Sequence, residues 1–166
     1  LANFYHQAAQ KQDKERKPAV ASYGKAAHYY RMFIERFPDH AKSYVVNFYY
    51  AEILYDELDE YEKAALQYEA VLDKDLRGEF VEDAALGVIY AVERMLVKEG
   101  LRENVSEGVK YEAKKKDADL RGGELKPIPR TDLHALEQRY VNAADKYVGV
   151  LSEALRDPAF RKKYPK

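Results

Sequence analysis

Hydrophobic positions recur at steps of three and four residues along most of the chain, the spacing that places side chains on one stripe of a helix. The most distinctive pattern reads Tyr-x-x-Ala-x-x-x-Tyr-x-x-apolar and occurs three times. A small Ala leaves room for a neighbouring helix, and the two Tyr rings fill the space around it. The pattern therefore predicts three helices packed through alanine notches, with copies at Tyr23/Ala26/Tyr30/Phe33, Tyr61/Ala64/Tyr68/Val71 and Tyr140/Ala143/Tyr147/Val150.

Proline, glycine and short polar turns divide the periodic segments into six predicted helices. Pro18 suits a first helical turn, Pro38 follows the second helix, and Gly78 follows the fourth. Thr131 or Asp132 can cap the last helix. The helices are expected at about 2–13, 19–36, 41–57, 60–74, 80–98 and 132–155.

The segment at about 101–130 departs from this periodicity. It contains three consecutive lysines, Gly122-Gly123, Pro127 and Pro129. Insertions of this length are uncommon in compact domains. Two interpretations stay open, a solvated excursion on the surface or a loop that folds over a binding face. The mixed charge and the near absence of aromatic residues favour the first.

The second copy of the pattern has a matching helix upstream. Tyr55 and Tyr90 are 35 residues apart, close to the period of roughly 34 residues of the tetratricopeptide repeat (TPR). Residues 48–72 resemble a complete TPR helix pair, with large, small and aromatic positions where that family has them. Glu52 stands where the family prefers a small residue, so a slightly wider helix crossing is expected. The residues that carry the resemblance are Phe48, Ala51, Glu52, Tyr55, Ala64, Tyr68 and Val71.

The resemblance implies an all-α fold, a TPR-like α-solenoid of about three antiparallel helix pairs. The insertion at about 101–130 would split the third pair. Residues 1–166 would form a single TPR-like domain. Because the chain begins with Leu1 and not with Met, we expect it to be a fragment of a longer protein.

Composition narrows the possible functions. The net charge is −1, which provides no overall attraction to nucleic acid or to an anionic membrane. No run approaches the ~20 apolar residues of a membrane-spanning helix. The chain has no Cys, which removes disulfides, thiol catalysis and cysteine-type zinc sites.

Signals of catalysis are absent from the sequence. The four His residues lack the spacing of metal ligands, and there is neither a glycine-rich phosphate loop nor a Gly-x-Ser-x-Gly elbow. Glu57, Asp59 and Glu60 could hold a cation, but solvated charges at a helix corner are far commoner. We therefore predict that the protein is not an enzyme and uses no cofactor or metal.

The resemblance implies that the first helix of each pair lines a concave groove. That surface would suit an apolar helix or an extended segment of a protein or peptide partner. The alternative is that a neighbouring helix or the insertion covers these residues. The predicted partner-binding residues are Val46, Tyr49, Tyr50, Ile53, Asp56, Glu57 and Val88.

The predicted function is a non-catalytic scaffold for protein–protein interaction. One alternative is a purely architectural segment of a longer solenoid, which an exposed apolar face on Val141, Val148 and Leu151 would favour. Another is a regulatory domain of a larger protein. Residues 30–72 also resemble bacterial cell-envelope TPR proteins, including coordinators of the Tol–Pal system. That resemblance implies a place in the periplasm or envelope, with the cytoplasm as the alternative.

Overall fold

A computed structural model of the chain describes residues 1–104, 132–154 and 156. These residues form an all-α fold, and no strand occurs among them. Residues 105–131, which include most of the expected insertion, lie outside the described residues. The helices are α1 (Ala2–Lys14), α2 (Val20–Arg36), α3 (Ser43–Glu52), α4 (Tyr61–Lys74), α5 (Val81–Lys98) and α6 (Ala135–Ala154).

Successive helices pack against each other in antiparallel fashion. Tyr23 in the first turn of α2 donates a hydrogen bond to Asp13 near the end of α1, and Tyr30, further along α2, donates to Asn3 at the start of α1. Lys74 at the end of α4 reaches the backbone oxygen of Pro38, which precedes α3, at 2.6 Å. Each helix therefore covers one face of the helix before it, and the core lies along these contacts.

The alanine notches predicted from the repeated pattern are confirmed. Ala26, Ala64 and Ala143 are all buried, on α2, α4 and α6. Close approach of neighbouring helices at these positions gives the flanking rings their burial, which stabilises each packed aromatic side chain by about 1.5–3 kcal/mol. Of the flanking tyrosines, Tyr23, Tyr30 and Tyr68 are buried, and Tyr61, Tyr140 and Tyr147 are half-buried.

An ion pair joins Glu93 of α5 to Arg102 in the segment that follows α5, and Arg102 in turn contacts Tyr140 of α6. Glu93 is fully buried, and the Arg102 guanidinium donates to its carboxylate at 2.6 Å. The same guanidinium lies 5.3 Å from the centre of the Tyr140 ring. Loss of Arg102 is expected to destabilise the fold, because the fully buried Glu93 carboxylate would lose this counter-charge.

The helix predicted over about 41–57 is confirmed in extent, but its last five residues are not α-helical. The α-helix ends at Glu52 and continues as a π-helical turn over Ile53–Glu57. The Glu60 N–H then donates to the Leu54 oxygen at 2.8 Å, and Asp59 adopts a φ of 52°. Asp tolerates this left-handed conformation better than most residues. The wider turn changes the direction of the side chains that follow it.

The Asp132 cap expected for the last helix is wrong. Asp132 lies three residues before the helix, which begins at Ala135, and the other candidate, Thr131, lies outside the described residues. Glu137 instead reaches back and accepts a hydrogen bond from the His134 N–H at 2.7 Å. An acidic side chain in the first turn also suits the partial positive charge of a helix N-terminus.

Candidate functional site

The structure separates the seven predicted partner-binding residues into accessible and buried groups. Tyr49 is 39% exposed and Asp56 is exposed, while Val46 and Glu57 are half-buried. By contrast, Tyr50, Ile53 and Val88 retain only 7%, 2% and 4% of their surface. These three side chains have little surface left for a partner, so burial does not favour direct contact and their role stays a prediction.

Each of the three buried residues has a physical reason for its position. Tyr50 lies between α2 and α4, where burial raises the pKa of its hydroxyl group. Ile53 opens the π-helical turn, which packs against both α2 and α4. Val88 belongs to α5, which is covered by α4 on one side and α6 on the other. A 3.6-residue periodicity alone does not show which faces the neighbouring helices cover.

Four rings fill the space between α1, α2 and α3. The imidazole of His6 lies 5.9–6.0 Å, centre to centre, from the rings of Tyr23, Tyr30 and Tyr49. All three pairs are edge-to-face, the arrangement that aromatic rings prefer. We call these four residues the His6 cluster. Tyr49, one of the two exposed residues among the predicted contacts, is thus also a packing residue.

The hydrogen bonds of the His6 cluster suit a neutral imidazole. Tyr30 donates its proton to Asn3, so its oxygen can accept from Nδ1 of His6, 3.1 Å away. The Gln10 amide can donate to the other ring nitrogen, Nε2, at 3.2 Å. Burial lowers the pKa of His6, because desolvation penalises the charged form.

Carboxylates surround the hydroxyl of Tyr23 at the edge of this cluster. Asp13 accepts its proton at 2.5 Å, and Glu57 also interacts with it. Burial and these negative charges raise the pKa of Tyr23. Burial also raises the pKa of Glu57, and the nearby Asp13 and Asp56 raise it further. This edge of the cluster is therefore acidic, and the Tyr23 hydroxyl donates a hydrogen bond to one of its carboxylates, that of Asp13.

A cleft of about 290 Å³ opens between α3 and α5, and we call it the α3–α5 cleft. Its floor is Tyr68 of α4, which is almost completely buried. Its mouth carries the exposed side chains of Asp56 and Asp83. The lining comprises Phe48, Glu52, Tyr55, Asp56, Tyr68, Asp83, Leu86, Gly87 and Tyr90.

Gly87 and Glu52 define the inner part of this cleft. A Cβ atom at position 87 would lie 2.6 Å from the Tyr68 ring, so only glycine fits without displacing that ring. Tyr68 donates a hydrogen bond to the Glu52 carboxylate at 2.5 Å. Burial and the charge of Glu52 raise the pKa of Tyr68. The half-buried Glu52 thus lies at the place where the sequence predicted a wider crossing between helices.

Sequence reasoning found only Asp56 among the residues of the α3–α5 cleft. It assigned Phe48, Tyr55 and Tyr68 to helix packing and gave Asp83 no role. One signal was available: Gly87 follows Glu52 by 35 residues, as Tyr90 follows Tyr55. A glycine at this step permits the close approach of another side chain, and the Tyr68 ring makes that approach.

A second cleft, of about 420 Å³, lies among α4, α5 and α6. Its lining contains both acidic and basic residues, so its charge favours neither an anion nor a cation. They include Glu62, Lys63, Lys98 and Glu99. In the part of the chain that the structure describes, no three Asp, Glu or His side chains are grouped as metal ligands. None of the described helices combines the length and the hydropathy that crossing a bilayer requires.

No protein-family model, curated protein or solved structure matches this chain. Any function must therefore be inferred from the residues and the geometry described above.

Proposed function

We propose that the chain is a TPR-like α-solenoid that acts as a non-catalytic scaffold for protein–protein interaction. It binds a segment of a protein or peptide partner along the surface formed by α1, α3 and α5. In this proposal α1–α2, α3–α4 and α5–α6 are the three helix pairs, and the first helix of each pair contributes to the groove.

Side-chain contacts between the first helices support this arrangement. The rings of His6 on α1 and Tyr49 on α3 are 6.0 Å apart. Phe48 on α3 stacks at 4.2 Å on Phe80, which directly precedes α5. Arg94 of α5 donates to the Tyr55 hydroxyl at 3.2 Å. Three helices that touch in this order form one continuous surface.

One observation carries the proposal, the exposure of Tyr49 beside this series of contacts. Its ring is fixed by His6 and Phe80, yet 39% of its surface is accessible. A rigid Tyr offers a partner a large contact area and loses little conformational entropy on binding. Asp56, the other exposed residue among the predicted contacts, lines the α3–α5 cleft.

The test is a partner capture followed by a quantitative measurement. Partners captured by the full chain are identified, and their Kd values are measured against wild type and Tyr49→Ala. We expect a loss of about fivefold or more in affinity, the effect of a hot-spot residue. Leu66→Ala is the matched control, because Leu66 is exposed on α4 beside Tyr50. Equal Kd values for wild type and Tyr49→Ala, in variants with native circular dichroism, would contradict the proposal.

A second function is favoured by the outer face of α6. Val141 is 40% exposed and Val148 is 60% exposed, while Leu151 is half-buried. An apolar face of this kind suits an architectural segment whose neighbours cover it. Labelling of Val148→Cys, in the protein with its natural flanking residues, tests this function. Protection from the label favours the architectural role, and rapid labelling argues against it.

We also propose that the scaffold serves a bacterial envelope assembly. The support is the resemblance of residues 30–72 to envelope TPR proteins. Cell fractionation of the natural, tagged gene product tests this part separately, and recovery in the cytoplasm alone would reject it.

A further inference from the structure

Helices α2 and α4 present matching faces to a shared space. Each contributes three side chains at steps i, i+3 and i+4, the spacing that places residues on one stripe of a helix. A cleft of about 240 Å³ opens between the two stripes, and we call it the α2–α4 cleft. Its lining comprises Arg31, Ile34 and Glu35 of α2, Tyr50 of α3, and Lys63, Leu66 and Gln67 of α4.

We propose that the α2–α4 cleft binds a carboxylate group carried on a short apolar body. The source is either a small organic acid or the acidic side chain of a protein partner. The volume of the cleft is below the ~300–1,000 Å³ of sites for drug-sized ligands, so it suits a group of this size. In the described part of the chain it shares no lining residue with the α3–α5 cleft, and the inference does not depend on the scaffold function.

The hydroxyl group of Tyr50 carries the proposal. Tyr50 is 7% exposed, yet its hydroxyl forms no hydrogen bond with any described residue. Buried hydroxyl groups nearly always have a partner, because a buried donor without one destabilises the fold. Since Tyr50 lines the cleft, a bound ligand can supply the missing acceptor.

The protonation state and the surroundings of this hydroxyl suit an anionic acceptor. Burial raises the pKa of Tyr50, so the hydroxyl keeps its proton at neutral pH and can donate it. The charges of Arg31, Lys63, Glu60 and Glu35 all act on this group. The hydroxyl is therefore close to the charged rim of the cleft, where the carboxylate of a ligand would lie.

Arg31 and Gln67 add donors on the two walls. The Nε of Arg31 lies 3.9 Å from the Glu35 carboxylate, too far for a hydrogen bond, and both side chains are exposed. Gln67 is half-buried and makes no hydrogen bond with a described residue. A guanidinium presents parallel N–H groups that match the two oxygens of a carboxylate. Three helices thus direct hydrogen-bond donors to one small space.

The other lining residues define the rest of the ligand. Lys63 forms an ion pair with Glu60 at the start of α4, so this pair adds little net charge. Half-buried Ile34 and Leu66, which is 51% exposed, provide apolar walls on α2 and α4. A hydrocarbon group that covers these walls removes apolar surface from water. Glu35 repels an anion, so its charge limits the affinity of the site.

The proposal is tested by NMR titration of the full chain labelled with ¹⁵N. One pair of probes is isovalerate and its neutral isostere isovaleramide. The other is acetyl-Gly-Glu-Gly-amide and its Gln counterpart. We expect saturable shifts of the Gln67 side-chain amide and the Arg31 Nε–H signals with the two carboxylates. Each neutral probe should bind at least about fivefold more weakly. The carboxylate that binds more tightly identifies the source.

Tyr50→Phe is the decisive variant, because it removes the hydroxyl and keeps the buried ring. The affinity for the carboxylates should fall by about threefold to tenfold, the effect of one lost hydrogen bond. The urea midpoint of unfolding should stay the same or rise, since the hydroxyl has no described partner to lose. A lower midpoint together with unchanged affinity would show that the hydroxyl is only structural, and it would overturn the proposal.

Charge variants on α2 provide a matched comparison. Arg31→Gln should weaken the binding of both carboxylates by about threefold to fivefold. Arg36→Gln removes the same charge from an exposed position of the same helix, outside the cleft, and should leave the affinity unchanged. Glu35→Gln should strengthen binding by about twofold, because it removes the repelling charge.

Several results would overturn the carboxylate site. They are equal binding of the carboxylates and their neutral isosteres, equally tight binding of inorganic phosphate, and equal losses for Arg31→Gln and Arg36→Gln. The groove is judged separately: Tyr49→Ala should bind isovalerate as the wild type does, while Leu66→Ala should bind it more weakly. A partner that depends on Tyr49, with no carboxylate binding, would reject this site and retain the scaffold.

Discussion

The His6 cluster and the α3–α5 cleft occupy matching places in the molecule, yet one is filled and the other is open. Their floors are Tyr30 and Tyr68, the second tyrosines of two copies of the repeated pattern. Nineteen residues after Tyr30, Tyr49 contributes a ring that packs against His6. Nineteen residues after Tyr68, Gly87 contributes no side chain. The Tyr68 ring itself occupies the space that a side chain at position 87 would take, so the two regions differ in which ring fills this place.

The hydroxyl groups of the two floor tyrosines extend the comparison. Tyr30 donates to the neutral amide of Asn3, and Tyr68 donates to the carboxylate of Glu52. The filled region thus contains neutral groups at its centre, with its carboxylates at the edge. The open region holds a carboxylate inside. The repeated residues determine how closely the helices approach, and the residues between them determine the chemistry of the space.

The largest expected effect comes from adding one methyl group at position 87, where α5 packs against the Tyr68 ring. Gly87→Ala places a Cβ 2.6 Å from the buried Tyr68 ring. Overpacking of this kind costs about 1–3 kcal/mol of unfolding free energy, which outweighs the gain in helix propensity. Urea denaturation monitored by circular dichroism measures the change.

Gly24→Ala provides the matched control on α2, because a Cβ there meets no atom within 4 Å. Its unfolding free energy should rise by about 0.5–1 kcal/mol, as for a glycine replaced in an open helix position. Opposite signs for the two variants support the comparison. A gain in stability for Gly87→Ala would show that the cleft tolerates a side chain and is not fixed by glycine.

The second effect concerns the two floor hydroxyls. A double-mutant cycle of Tyr68→Phe with Glu52→Ala should give a coupling energy of about 2 kcal/mol, typical of a hydrogen bond to a charged group. The cycle of Tyr30→Phe with Asn3→Ala should give about 1 kcal/mol, because both groups are neutral. Both energies come from urea denaturation at neutral pH.

Equal coupling in the two cycles would remove the electrostatic part of the comparison. That outcome would mean that the Glu52 carboxylate bonds to water as readily as to Tyr68, so that its charge adds nothing to the strength of this hydrogen bond. A larger coupling for Tyr30 and Asn3 would reverse the assignment of the charged region.

The helices and the alanine notches could be predicted because they depend on local periodicity. Ala26, Ala64 and Ala143 recur between tyrosines at fixed steps, and the structure buries all three. Patterns of this kind report which face of a helix is covered. They do not identify the helix that covers it, which is why Tyr50 was expected to be accessible although α2 and α4 enclose it.

The candidate cleft depended on two features that no local pattern contains. The π-helical turn at Ile53–Glu57 changes the face of the residues that follow it, and it places Asp56 in the cleft and Glu57 beside Tyr23. The cleft itself forms between residues of α3 and α5 that are about 35 positions apart in sequence. Only the packing of both helices on Tyr68 brings Glu52 and Asp83 to the same space.

The smallest expected effect is a pH dependence that belongs to the filled region. Burial lowers the pKa of His6 below its usual 6.5, so the unfolded chain binds this proton more readily than the native protein. The contribution of neutral His6 to stability is therefore complete above about pH 6.5 and is lost as the pH falls through the native pKa. Urea denaturation at a series of pH values from about 7.5 down to about 5 measures this loss.

His6→Gln isolates this contribution, since the carboxylates Asp13 and Glu57 near Tyr23 remain in both proteins. The contributions of these shared groups cancel in the difference between the wild-type and variant curves. The wild-type unfolding free energy should decline more steeply below pH 6.5 than that of His6→Gln. Parallel curves would show that a charged imidazole is accommodated among Tyr23, Tyr30 and Tyr49. In that case the filled region would not require a neutral group at its centre, and the partners of the two floor hydroxyls, Asn3 and Glu52, would be the main remaining difference.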